Sequence, residues 1–210
     1  MDGVLIDSEP CWEEAGRETL QHFGVTLSLS DYSATTGLRT REWIEWWFRH
    51  FNIDQKFAAK AEETIVTKAI EKIREEGKAM PGVEHIFQFF KERNFNIGLA
   101  TSSPVALIKV VTEKLGIKEF LDGFSSAEDL VNSKPHPEVY LDCAKNLDVS
   151  PLRCICFEDS VNGMIAAKAA RMKCVVIPVG YQQEDKRFGL ADLQLKSLHD
   201  FTEFHLDALA

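Results

Sequence analysis

What these 210 residues lack narrows the field first. No two cysteines form a C-x-x-C pair, and the five present (Cys11, Cys143, Cys154, Cys156 and Cys174) are odd in number, which argues against a disulfide framework. Buried, reduced thiols in a cytoplasmic protein are the expectation. No block of basic residues stands out and the net charge is -9, which disfavours a nucleic-acid partner. The acidic total does not exclude a phosphate substrate, because a local pocket decides that. The opening MDGVLIDSEP has no basic region of the kind that starts a secretory leader, and the longest apolar runs fall far short of a membrane span. There is no internal repeat or low-complexity tract. What remains, 45% hydrophobic and 27% charged residues, is ordinary globular composition. The length suits one large domain or a domain with a modest insertion.

The pattern along the chain has two regimes. Gly3 to Ile6 is a short apolar run, and Ser8-Glu9-Pro10 breaks it. From Cys11 to about Lys78 the chain reads as helical with no convincing strand. Helices are predicted over Trp12 to Phe23, Thr40 to Phe51 and Lys56 to Glu76. Trp43, Trp47 and Phe51 recur at i, i+4, i+8 beside Ile44 and Phe48, which reads as a helix–helix core rather than a ligand cage. After Met80-Pro81-Gly82 helices and short apolar runs alternate. Strands are predicted at Asn96 to Ala100, Phe120 to Ser125, Cys154 to Phe157 and Cys174 to Pro178. Helices are predicted over Val83 to Arg93, Pro104 to Leu115, Pro137 to Leu147 and Val161 to Arg171. Such alternation implies a parallel sheet covered on both faces. The expected fold is therefore α/β, a doubly wound parallel-sheet core (1–10 and 79–210) with a small all-helical cap (11–78) inserted after the first strand.

Ligands of open α/β sheets bind at the carboxyl ends of the strands, so polar residues there carry the chemistry. Thr101-Ser102-Ser103, before Pro104, offers a hydroxyl and amides at a helix start, an anion site. Alone, helix capping by Ser102 or Ser103 is the better reading. Lys134 lies in Ser133-Lys134-Pro135-His136-Pro137 and is placed to neutralise a phosphate as a point cation. Alone, it reads as a solvated lysine, and His136 reads as structural. Glu158-Asp159-Ser160 ends a strand before Asn162-Gly163. Two adjacent carboxylates suit a hard cation such as Mg2+, against the plainer reading of an acidic helix start.

Taken in order, Asp2-Gly3-Val4-Leu5-Ile6-Asp7-Ser8-Glu9, Thr101, Lys134 and Glu158-Asp159 resemble the four motifs of the haloacid dehalogenase superfamily. More narrowly they resemble its β-phosphoglucomutase-like subgroup with a small helical cap. The stretches Ser133 to Pro137 and Glu158 to Met164 resemble the hexitol phosphatase branch, near the 2-deoxyglucose-6-phosphate phosphatases. The resemblance spans essentially the whole chain. It implies a magnesium-dependent phosphatase for small sugar or polyol phosphates, working through an aspartyl-phosphate. It assigns Asp2 as general acid and base, and Asp2 (backbone carbonyl), Glu158 and Asp159 to the metal. Thr101, the Ser102 amide, Lys134 and Asn162 go to the phosphoryl group, with Lys134 also screening its charge during transfer. Arg39, in the cap stretch Thr36-Gly37-Leu38-Arg39, goes to a substrate hydroxyl or distal phosphate. A surface arginine flanking a helix is the competing reading.

In one respect the chain departs from this family. The nucleophilic aspartate should stand directly before Met1, on a central strand whose loss would bare the backbone groups of two neighbours and leave Asp2 at a fraying end. Truncation of an active enzyme is the expectation, and the codons upstream of Met1 test it. The remaining readings are phosphoglucomutase-type transfer, an inactive fragment or pseudoenzyme, and, more weakly, a dehalogenase. A cytoplasmic monomer with no membrane or nucleic-acid partner is expected.

Overall fold

The computed structural model describes residues 1–28, 31, 35, 39–128 and 130–209. It divides into two compact units: Met1–Asp7 with Lys78–Ala210, and Ser8–Gly77.

Among the described residues of the Ser8–Gly77 unit, three α-helices form the frame: α1 (Glu9–Gln21), α2 (Thr40–His50) and α3 (Ala58–Glu76). The first begins earlier than the pattern suggested, because Pro10 fits the first helical turn, where its missing N–H costs nothing. Ala15, Leu20, Trp43, Ile44, Trp47, Phe48, Ile65 and Ala69 form its core. The aromatic stripe of α2 is thus core for Trp43 and Trp47, but Phe51, just past the helix end, is 39% exposed. Lys68 and Lys72 of α3 pair with Glu14 and Glu18 of α1, a partly exposed network that adds little to stability. Thr36 to Leu38, singled out in the sequence, lie outside the described residues; Arg39 is described.

In the other unit, β1 (Ile6–Asp7) pairs antiparallel with β2 (Lys78–Ala79), Ile6 opposite Ala79. This places a strand where the sequence showed none. Both β2 residues are exposed, so no apolar alternation marked it. Then α4 (Val83–Lys91), β3 (Gly98–Thr101), α5 (Val105–Lys114), β4 (Gly123–Ser126), α6 (Glu138–Asn146), β5 (Ile155–Glu158), α7 (Val161–Ala169) and β6 (Lys173–Val176) follow in strict alternation. A seventh strand, β7 (Leu193–Gln194), and α8 (Glu203–Leu209) lie beyond the predicted elements.

From β3 onward the strands are parallel as predicted, but among the described residues these strands form two separate ladders, β3–β4 and β5–β6–β7. Gly98 to Ala100 and Ile155 to Phe157 both line an apolar cavity of about 610 Å³ with Met1, Val4 and Leu5. Helix α6 packs on β3 and β4, and α7 on β5 and β6. The core there is Val139, Tyr140, Ala144, Cys156, Met164, Ala166, Cys174 and Val176. All five cysteines are free; four are buried, whereas Cys154, just before β5, is only half-buried. No helix among the described residues is long and apolar enough to cross a membrane.

Candidate active site

The first seven residues form a tight turn. The Met1 carbonyl accepts from the amides of Val4, Leu5 and Ile6, and Met1 is 8% exposed, so Asp2 sits on a tied segment rather than the fraying end expected. Gly3 has φ +65°, and a Cβ there would stand 2.1 Å from Asp159 Oδ2. Glycine takes this backbone shape without strain, and its missing Cβ leaves room for this approach. The start of the chain therefore lies against the end of β5.

Asp2 is tied to the end of β3. The Ser103 hydroxyl donates to Asp2 Oδ2 at 2.6 Å, and the Ser103 amide donates to Thr101 Oγ1 at 3.1 Å. Ser126, from the end of β4, donates its hydroxyl to the Ser103 carbonyl at 2.7 Å. Neither Ser102 nor Ser103 caps α5. The N-cap position is Pro104, and the Val105 amide instead donates to Glu128 Oε2 at 2.9 Å. Thr101 is buried and Ser102 exposed. Ser103 carries a site contact that local sequence, read as a cap, did not reveal.

Lys134 is not a solvated surface lysine. Its side chain is 12% exposed and its Nζ donates to Glu158 Oε1 at 2.5 Å. Its neighbour His136 is exposed on the surface, its Nδ1 accepting from the Glu138 amide. The same Glu158 oxygen accepts from the Tyr140 hydroxyl, while Ser160 donates to Glu158 Oε2 at 3.3 Å. Gly163, in the first turn of α7, makes room: a Cβ there would fall 2.0 Å from Glu158 Oε2. Ser160 caps α7 by accepting from the Gly163 amide, and Asn162 is half-buried in that first turn. Arg39 belongs to the helical unit, where it precedes α2; its Nε and Nη2 are buried without a hydrogen-bond partner among the described residues.

The charges respond to this packing. Burial works against the Lys134 ammonium, but the Glu158 carboxylate beside it outweighs burial and raises its pKa. Burial likewise opposes the Glu158 carboxylate, but Lys134, the chain's amino terminus and the Tyr140 hydroxyl together outweigh it and hold the carboxyl below the ordinary range. Burial and then Glu158 push the Tyr140 phenol well up, so it stays a donor. For Asp159, burial first and then the adjacent Glu158 outweigh the amino terminus and Lys134 and push it up to about 7.

Among the described residues, no three His, Cys, Asp or Glu side chains cluster as a ready metal cage. The oxygen donors are Asp159 and Glu158, with the Asp2 segment against Asp159. Magnesium keeps several waters and commonly uses one or two carboxylates plus substrate phosphate, so this donor set fits it. A cation would also relieve the repulsion that raises Asp159.

The Asp159 shift has a testable consequence. Its folded value, about 7, lies above the ordinary 3.8. Between those pH values the native protein holds a proton that the unfolded chain has released. Stability from this group therefore falls as pH rises from about 4 to 7. The Asp159→Asn change is expected to raise the melting temperature at pH 8, without magnesium, by on the order of 5 °C, and to leave it unchanged at pH 4. Millimolar magnesium should stabilise the unchanged protein at pH 8 but not the variant. Thermal melts at both pH values check this.

A haloacid dehalogenase-like hydrolase model matches residues 1–171. The chain belongs to that family. Hexitol phosphatase B of Escherichia coli (strain K12) is 40% identical over 203 residues, 96% of this chain and 91% of that protein. Among solved structures, CbbY from Rhodobacter sphaeroides in complex with phosphate superposes with a TM-score of 0.87 at 25% identity, covering 99% of this chain and 96% of that one. The β-phosphoglucomutase of Clostridium difficile gives 0.84 at 25%, covering 98% and 92%. The haloacid dehalogenase-like core accounts for the alternation of parallel strands and helices from β3 onward.

Proposed function

We propose that the protein is a magnesium-dependent phosphatase of small sugar or polyol phosphates, with one site made by the segment at Asp2 and the ends of β3 and β5. The observation that carries this reading is the convergence of Asp2, Ser103 and Thr101 on one side with Asp159, Glu158 and Lys134 on the other. They are joined through the close approach of Gly3 to Asp159. The likeness to hexitol phosphatase B supports the substrate class.

In this reading Lys134 and the hydroxyl and amides at Thr101 and Ser102 grip the phosphoryl oxygens, with Asn162 beside them. Asp159, Glu158 and the Asp2 carbonyl would hold magnesium, which would supply charge neutralisation for the transferring group. The nucleophile that the family likeness implies is a carboxylate, which would attack phosphorus as the sugar oxygen leaves with a proton from Asp2. Asp2 then takes a proton from the water that hydrolyses the aspartyl-phosphate. Ser103 holds Asp2 in place for both transfers. Arg39, whose Nε and Nη2 have no hydrogen-bond partner among the described residues, is the candidate for the substrate's distal polar groups. A phosphoglucomutase-type transfer would use the same groups, and the likeness to β-phosphoglucomutase keeps that second reading.

The test compares residues 1–210 with a protein in which a short apolar strand ending in aspartate precedes Met1. The extended protein is expected to release inorganic phosphate from hexose and hexitol phosphates only with magnesium, at least 10³-fold faster than residues 1–210, as loss of a covalent nucleophile implies. Isomerisation of glucose 1-phosphate without phosphate release would favour the transferase; no turnover of any phosphate ester would defeat both.

A further inference from the structure

Tyr140 belongs to none of the motifs that carry the chemistry, yet it touches both members of the buried ion pair. Its hydroxyl donates to Glu158 Oε1, the oxygen that also accepts from Lys134 Nζ. Its ring lies under the ammonium, with Nζ 4.9 Å from the ring centroid. The residue is 5% exposed and lies on α6 among Val139, Cys143 and Ala144, the buried face that packs on β3 and β4. The ring therefore has little freedom to point elsewhere.

Phenylalanine would fill this space and keep the ring under the ammonium, so packing does not call for the hydroxyl. What the hydroxyl adds is a second donor on Glu158 Oε1. An ammonium carries three N–H donors. If Lys134 were the sole partner of that oxygen, the carboxylate would hold the ammonium more tightly and compete with any other anion. With the phenol sharing the oxygen, the carboxylate is fixed and part of its charge is satisfied. The remaining lysine donors are then left for a phosphoryl oxygen.

We propose that Tyr140 is a positioning residue, which fixes Glu158 and through it presents the Lys134 ammonium to the phosphoryl group. This rests on the reading of Lys134 as the phosphate-binding cation. The experiment titrates inorganic phosphate, with saturating magnesium, into residues 1–210 and into the Tyr140→Phe and Lys134→Met variants by calorimetry. Tyr140→Phe is expected to weaken phosphate binding about fivefold, the share of one charge-assisted hydrogen bond, and Lys134→Met by at least fifty-fold. Unchanged binding in Tyr140→Phe alongside lost binding in Lys134→Met overturns the role of Tyr140 and leaves Lys134 standing. Unchanged binding in Lys134→Met, or none in the unchanged chain, overturns both. A second readout leaves Tyr140 itself unchanged. Tyr140 is one of three tyrosines, so a Tyr32→Phe/Tyr181→Phe protein labelled with ¹³C at the tyrosine Cζ reports on Tyr140 alone. Its resonance is expected to shift as phosphate binds; a resonance unmoved at saturating phosphate overturns the proposal.

Discussion

Changing Lys134 to methionine is expected to remove both the grip on phosphate and a large share of the stability of the Met1–Asp7 and Lys78–Ala210 unit. The Glu158 side chain is 5% exposed and its nearest cation is the Lys134 ammonium at 2.5 Å. Deleting one partner leaves a buried carboxylate uncompensated, which costs about 3–5 kcal/mol. For a chain of this size that lowers the melting temperature by on the order of 10 °C. The double variant Lys134→Met/Glu158→Gln removes both charges and is expected to recover most of that loss. It should still bind phosphate no better than the single variant. Denaturant melts and phosphate calorimetry on both proteins separate the two effects. A single variant as stable as the unchanged protein would contradict the buried pair.

The second large effect concerns Asp2. In the protein extended by a strand ending in aspartate, Asp2→Asn is expected to lower kcat for sugar phosphates by about 10²- to 10⁴-fold, the usual contribution of a positioned acid and base. KM should change little, because asparagine still accepts from Ser103 and the phosphate grip is untouched. With p-nitrophenyl phosphate the leaving group needs no acid, whereas hydrolysis of the aspartyl-phosphate still needs the base. A burst of nitrophenol followed by slow turnover is therefore expected. Rapid-mix kinetics show the burst. A variant that keeps more than a tenth of the original kcat on sugar phosphates would remove Asp2 from this role.

The groups at the ends of strands were legible because parallel alternation alone places Thr101 and Glu158-Asp159 at carboxyl ends. Lys134 was legible through its prolines and its resemblance, but not its burial, since nothing near it in sequence names Glu158 as partner. The Ser103–Asp2 bond spans 101 residues and the Tyr140–Glu158 bond 18, separations at which neither helical nor strand periodicity says which polar groups meet. Ser103 in particular offered a cap, a local use that competes with any distant one. The strands that escaped notice, β2 and β7, are two residues each. They lack the length over which alternation can be counted. Phe51 kept the spacing of its aromatic neighbours but lies past the last turn of α2, where the helical period no longer fixes which side faces inward. The separation into two ladders is a matter of which backbone groups pair, and hydrophobic patterning does not report it.

The proposed site holds one cation and one phosphoryl group side by side. Manganese in place of magnesium makes that measurable, because a protein-bound paramagnetic ion speeds the ³¹P relaxation of a phosphate only when the two are near neighbours. With residues 1–210, Mn2+ and inorganic phosphate, strongly enhanced ³¹P relaxation is predicted, with the enhancement lost in both Asp159→Asn and Lys134→Met. Manganese that binds while the phosphate relaxes as it does in free solution would contradict the shared site.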